Sequence, residues 1–186
     1  MSYPARSVRD MTPLRDRLYF FSNSADVPPG QGVHERVADP RRYAALAGVR
    51  HWRRMLSNFW PADFRLGDRT YRTVEHAFQA AKIALVDPAL AEQFALDSGS
   101  ELAQGDGAAA RKQRRAALLD GGQLATWDGM KHAVMRDAMR AKFSQRRELA
   151  EVLGATAPAE LWHGMGRGQA PARIGDLEAV RADLAA

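Results

Sequence analysis

Hydrophobic positions change their period partway along the chain, and that change predicts the order of elements. Residues 1–16 are polar, carry Pro4 and Pro13, and are expected to form a flexible N-terminus. Arg17-Leu18-Tyr19-Phe20-Phe21 is a short aromatic run suited to a strand. Ser22 to Pro40 holds Pro28, Pro29, Gly30 and Gly32 and reads as a loop. Residues 41–55, dense in arginine and alanine, are expected to form a basic helix ending near Met55. Between Ala62 and Tyr71, Phe64 and Leu66 alternate with polar residues around Gly67-Asp68, the pattern of a hairpin with a two-residue turn.

From Thr73 onward the period becomes helical. No breaker occurs from Glu75 to about Val86, and Asp87-Pro88 supplies a cap and first turn for the next helix. Residues 108–119 are expected to form a basic helix stopped by Gly121-Gly122. Trp127, Met130, Val134, Ala138 and Ala141 repeat at helical spacing and predict a long helix to about Phe143. Leu149, Val152 and Leu153 mark another helix, closed by Gly154. Leu177, Val180 and Leu184 mark the last. These elements predict one α+β domain over 17–186, mainly helical, with a small antiparallel sheet.

Composition removes several kinds of chemistry. The 186 residues include no cysteine, which excludes disulfides, thiolate metal sites and cysteine nucleophiles and suits a reducing, cytoplasmic setting. No apolar run approaches the roughly 18–20 residues of a membrane span, and the first residues lack the apolar segment of a secretory signal. Twenty-seven Lys and Arg against 22 Asp and Glu give a formal charge of +5. That excess favours anionic partners such as nucleic acid or phosphorylated small molecules, or serves solubility alone.

P-loop, dinucleotide-binding, zincin and nucleophile-elbow motifs are missing. The five histidines, His34, His51, His76, His132 and His163, are scattered, and neither a metal nor a cofactor is expected. The densest stretch is Leu56-Ser57-Asn58-Phe59-Trp60-Pro61 followed by Tyr71-Arg72-Thr73-Val74-Glu75-His76-Ala77-Phe78-Gln79-Ala80-Ala81-Lys82. At 100° per residue, Glu75, Phe78, Gln79 and Lys82 share one helix face. Such a face either lines a small-molecule pocket or is an ordinary solvated stripe, with Glu75 favoured by the helix dipole. Trp127, with Lys131 one turn on, is either a site residue or a core tryptophan beside a surface lysine. Two basic runs stand out. Arg41, Arg42, Arg50, Arg53 and Arg54 form the first, and Arg111, Lys112, Arg114 and Arg115 the second. Each is a solvated face or a phosphate contact.

The same stretches resemble the NADAR (YbiA-like) family. Ser57-Asn58-Phe59, the Gly67 hairpin and Thr73-Val74-Glu75-His76-Ala77-Phe78-Gln79-Ala80-Ala81-Lys82 are similar to its SNF…dG…ptxEHxFQAxK pattern. Trp127-Asp128-Gly129-Met130-Lys131 and the run from Val134 to Phe143 are similar to its W…VK…VM…AxxAKF helix, and Ala155 to Leu161 to its TxPxxL turn. Two departures are visible. The family's Gly-Lys-Asn-rich loop is shortened to Leu161–Gly168, with Trp162 in place of the family tryptophan and no counterpart for the aspartate and asparagine. An arginine-rich insertion at about 28–55 precedes Ser57.

The resemblance implies an N-glycosidase. Members resemble either enzymes that cleave phosphorylated riboflavin-pathway intermediates or enzymes that remove ADP-ribose from guanine in nucleic acid, reversing an ADP-ribosyltransferase toxin. The arginine runs favour ADP-ribosyl-guanine, and the altered loop leaves room for a third reading, a non-catalytic ADP-ribose or NAD-binding module. Breaking an N-glycosidic bond develops positive charge on the sugar, which a carboxylate stabilises or relieves by activating water. Glu75 is the expected carboxylate. Lys82 is the second catalytic candidate, as a phosphate ligand or as an amine forming a Schiff base. Ser57, Asn58, Phe59, Trp60, His76, Phe78, Gln79 and Trp127 are the expected substrate-binding residues.

Overall fold

The computed structural model describes residues 15–164 and 170–186. Most of the expected N-terminal arm and the second half of the shortened loop, from residue 165 on, lie outside them. Strand β1 (Arg17–Phe20) buries Leu18 and Phe20 and pairs parallel with β4 (Glu160–His163), so Phe20 lies beside His163. The short β5 (Ala172–Arg173) pairs antiparallel with β4. A separate hairpin joins β2 (Phe64–Leu66) and β3 (Arg69–Tyr71) across Gly67, whose φ of +62° is the left-handed conformation that the turn needs. The fold is therefore α+β with small sheets, antiparallel except at β1–β4, a pairing between distant segments that local alternation does not reveal.

The expected helix over 41–55 is broken. A short turn over Pro40–Tyr43 runs into α1 (Ala44–Ala47), and α2 (Trp52–Met55) starts afresh. His51 separates them with φ of +62°, its backbone N–H donating to Asp26 Oδ1 at 2.7 Å. Arginine and alanine favour a helix here, but this loop contact ends it.

Helix α3 (Val74–Ile83) begins at Thr73, whose hydroxyl accepts from His76 N, and sits between two apolar clusters. Val74 and Ala77 join the main core, which includes Leu18, Tyr43, Trp52, Phe64, Phe143 and Leu161. Ala80 and Ile83 join a smaller one with Phe94 and Ala110. The third face of α3 belongs to neither. Asp87 caps α4 (Pro88–Glu92) as expected, accepting from Leu90 N at 2.9 Å. After α5 (Glu101–Gln104), the expected 108–119 helix is instead α6 (Gly107–Lys112) and a single tight turn over Gln113–Arg115. Gly121-Gly122 opens α7 (Gly121–Ser144), because Asp120 and Gln123 cap each other's backbone in a reciprocal pair. Helix α8 (Arg147–Ala155) runs through Gly154, and α9 (Gly175–Ala185) closes the described chain against α7 and α8. No helix among the described residues is long and apolar enough to cross a membrane.

Candidate active site

The third face of α3 opens onto a cavity of about 350 Å³, within the size range of small-molecule sites, roughly 300–1,000 Å³. Glu75, Phe78, Gln79 and Lys82 all line it. Glu75 and Gln79 are each only 5% exposed, so the stripe is a pocket wall and not a solvated face. The Ser57–Phe59 segment forms the second wall and is fixed to α3 by Glu75 N donating to Asn58 O at 3.1 Å. Helix α7 contributes Trp127, packed edge-on against Phe78 with ring centres 4.8 Å apart, and Met135. Arg111 and Arg114 also line it, near enough for their charges to act on Glu75, and His163 enters from the end of β4.

Burial raises the Glu75 carboxyl above its usual 4.5; the Gln79 amide and the positive charges of Arg111 and Arg114 oppose the shift without cancelling it. Gln79 Nε2 donates to Glu75 Oε1 at 2.8 Å. Lys82 Nζ donates to the Arg114 carbonyl at 2.9 Å, which ties α3 to the turn carrying the rim arginines. Burial holds His163 below its usual 6.5, and nearby Arg111 adds to the effect, so the imidazole is neutral near pH 7. A buried carboxylate thus shares with two arginines a cavity lined by Phe59, Phe78 and Trp127. That set can hold a planar base and an anionic group on either side of a sugar.

The NADAR domain family model matches residues 49–166. The chain belongs to the NADAR family. N-glycosidase YbiA of Escherichia coli (strain K12) is 35% identical over 130 residues, covering 65% of this chain and 74% of that protein. N-glycosidase YbiA of Shigella flexneri serotype 5b (strain 8401) is 34% identical over the same shares. The NMR structure of the E. coli protein YbiA superposes with a TM-score of 0.60 at 24% identity, covering 98% of this chain and 94% of that one, and agrees in fold. This kinship supports a glycosidase function in general terms.

Eight of the ten residues expected at the NADAR site line the cavity: Glu75, Lys82, Ser57, Asn58, Phe59, Phe78, Gln79 and Trp127. His76 does not. It is fully buried on a different side of α3, with Nδ1 2.8 Å from Thr73 Oγ1 and Nε2 3.1 Å from the Leu102 carbonyl. Both ring nitrogens are engaged in holding the helix start to α5, one residue and 100° away from the Glu75 face. Trp60 also misses the cavity. The chain turns after Phe59, and Trp60 borders grooves on the outer side, beside Pro61 and Arg72 in one and Arg54 in the other.

Four wall residues were absent from the expected set: Arg111, Arg114, Met135 and His163. The arginines were visible only as a basic run. A better signal was Gly107, where any Cβ would lie 2.6 Å from Phe59 Cα and 2.7 Å from its ring. Only glycine lets α6 press against Phe59 and carry Arg111 and Arg114 to the rim. Lys142 was also missed. Entirely buried in α7, its Nζ donates to the carbonyls of Met55 at 2.7 Å and Ser57 at 2.8 Å, pinning the strap that leads into Asn58. Among the described residues, no three His, Asp or Glu side chains are grouped to hold a metal ion.

Proposed function

We propose that this NADAR protein is a hydrolase of N-glycosidic bonds and that its substrate is ADP-ribose joined to guanine in nucleic acid. The buried Glu75 carboxylate, in one aromatic-lined cavity with Arg111 and Arg114, carries the reading. A carboxylate held in an apolar wall is a stronger base than one in water, and it lies where a sugar would sit between a stacked base and a bound phosphate. Water attacks the anomeric carbon as the C–N bond breaks, and the bonding electron pair leaves on the base nitrogen. Glu75 stabilises the developing cation and accepts the proton from water; a proton then returns to the base.

Lys82 stands in the same cavity. It serves either as a third cation for the phosphates or as an amine nucleophile after the sugar opens. A phosphorylated riboflavin-pathway intermediate is the second reading, favoured by one observation. Arg53, part of the basic run that suggested a nucleic-acid track, is buried in an ion pair and cannot contact a strand. A compact substrate with one phosphate needs only Arg111 and Arg114.

The test is Glu75→Gln, assayed by mass spectrometry on ADP-ribosylated DNA and separately on the phosphorylated pyrimidine intermediates. The expected loss is about 10²–10³ in kcat on the true substrate, with an unchanged fold. Wild-type turnover of neither compound, or full activity in a folded Glu75→Gln protein, overturns the assignment.

A further inference from the structure

The Glu75–Gln79 pair contains an asymmetry that a generic pocket would not have. Glu75 Oε1 accepts a hydrogen bond from Gln79 Nε2, which fixes the amide the one way round that a carboxylate tolerates, donor toward Glu75. The other end of that amide, Gln79 Oε1, is buried and has no hydrogen-bond partner among the described residues. Across the cavity, Asn58 spends an N–H on the sulfur of Met135 at 3.2 Å, a weak acceptor. An orphaned carbonyl in a residue only 5% exposed is a standing cost to the fold unless something donates to it. It belongs to a residue one helical turn from Glu75 that lines the same cavity.

We infer that Gln79 is a specificity residue that accepts a hydrogen bond from the hydroxyl on the sugar carbon next to the scissile bond, so that the enzyme cleaves ribosyl and rejects 2-deoxyribosyl C–N bonds. The inference rests on the N-glycosidase reading and deepens it. A single carboxylate reaches one sugar carbon, and the nearest donor to that carbon is its neighbouring hydroxyl. Hydrogen bonds to this hydroxyl strengthen as the ring flattens toward the oxocarbenium ion. A site built around such a donor leaves its own polar group unpaired when the donor is missing, and discrimination becomes steep. The intrinsic chemistry runs the other way. The hydroxyl withdraws electrons and slows departure of the base, so a preference for the riboside has to come from the protein. For a nucleic-acid substrate the consequence is protective, because the added ribosyl bond is cut and the deoxyribosyl bonds of the strand are spared.

The experiment compares kcat/KM of the wild type on ADP-ribosyl-guanosine and on the analogue with hydrogen at that sugar position. A second pair, the 5-phosphoribosyl aminopyrimidine and its 2-deoxy form, serves as the small-molecule arm. On whichever pair is a substrate, the riboside should be preferred by on the order of 10²-fold or more. In Gln79→Met, similar in length and apolar, that ratio should fall below tenfold. Loss of the Nε2 donor to Glu75 slows both members of a pair alike, so the ratio isolates Oε1. A wild-type preference under tenfold, or an undiminished ratio in Gln79→Met, overturns the inference and leaves the hydrolase reading standing. Calorimetry with ADP-ribose and its 2-deoxy form separates the reverse case. Hydroxyl-dependent binding without any turnover supports the role of Gln79 and overturns the hydrolase, and absence of both overturns both. The wild-type comparison needs no variant to fold.

Discussion

The two arginine-rich segments are alike in charge and have opposite fates. In the first, Arg53 is buried against Glu35 in a bidentate pair, Nε to Oε1 at 2.8 Å and Nη2 to Oε2 at 2.7 Å, over the Trp52 ring. Its remaining N–H groups donate to the carbonyls of Val27 and Pro28, and Glu35 also accepts from Gly30 N and Gly32 N. That arginine holds a proline-glycine loop together. In the second segment, Arg111 and Arg114 are exposed, lack an acidic partner among the described residues, and face the Glu75 cavity. A run of arginines therefore carries no function by itself. What decides is whether the fold supplies a carboxylate that uses up the charge, or a cavity that leaves it for a ligand.

The largest effect expected from this contrast is Arg53→Ala. Removing one partner of a buried pair leaves Glu35 charged and unmatched, at a cost of about 3–5 kcal/mol. Chemical denaturation should show the loss, while KM of whatever folds at low temperature stays at the wild-type value. A stable Arg53→Ala protein with a raised KM would place Arg53 on the ligand's path and dissolve the contrast.

The sequence was most legible where chemistry is local. Thr73 and Asp87 named their helices' starts, Gly67-Asp68 named the hairpin, and the 75, 78, 79, 82 spacing put four residues on one face, though not whether that face is a cavity wall or a solvated stripe. It was least legible where a distant partner decides. Arg41 to Met55 reads as helix until Asp26 captures the His51 amide, and Gly121-Gly122 reads as a stop until Asp120 and Gln123 cap α7. Within the site, His76 and Trp60 were expected to bind substrate on the strength of the family resemblance. Helical angle argued against His76, but only the turn after Phe59 removes Trp60. His163 required the parallel β1–β4 pairing, which no period in the chain encodes.

Arg111→Ala with Arg114→Ala is the converse of the Arg53 experiment. KM should rise roughly ten- to a hundredfold, the worth of one or two charge-assisted contacts, with stability unchanged within about 0.5 kcal/mol. Lys82→Arg sharpens the same rim. Partial activity marks a phosphate ligand, and none marks an amine nucleophile, which borohydride trapping of an adduct would capture directly.

The buried titratable groups give a smaller effect, read by pH. Because burial lifts the Glu75 carboxyl above 4.5, the acid limb of kcat/KM should sit above the ordinary glutamate range. Lys142 behaves oppositely. Burial lowers it from 10.5 to about 7 in the fold, so above pH 7 unfolding takes up a proton. Stability of the wild type relative to Lys142→Met should therefore rise between about pH 7 and 10. A flat difference would mean that Lys142 keeps its proton on the Met55 and Ser57 carbonyls.

The smallest expected effect belongs to the outer arginines of the first segment. Arg41 is 91% exposed beside Asp39 at 3.0 Å, and Arg50 is 84% exposed with Asp26 at 3.8 Å. Exposed pairs of this kind contribute about 0–1 kcal/mol, and neither residue borders the Glu75 cavity. Replacing both by alanine should leave KM for free ADP-ribosyl-guanosine at its wild-type value. On a long ADP-ribosylated oligonucleotide the outcome is more telling. Each phosphate contact that is lost should lower the slope of log affinity against log salt by roughly one. An unchanged slope keeps the first segment structural throughout, with Arg53 inside and Arg41 and Arg50 as solvated surface. A slope lowered by about two, with the nucleoside unaffected, would put a strand across that face and make both segments parts of one phosphate track.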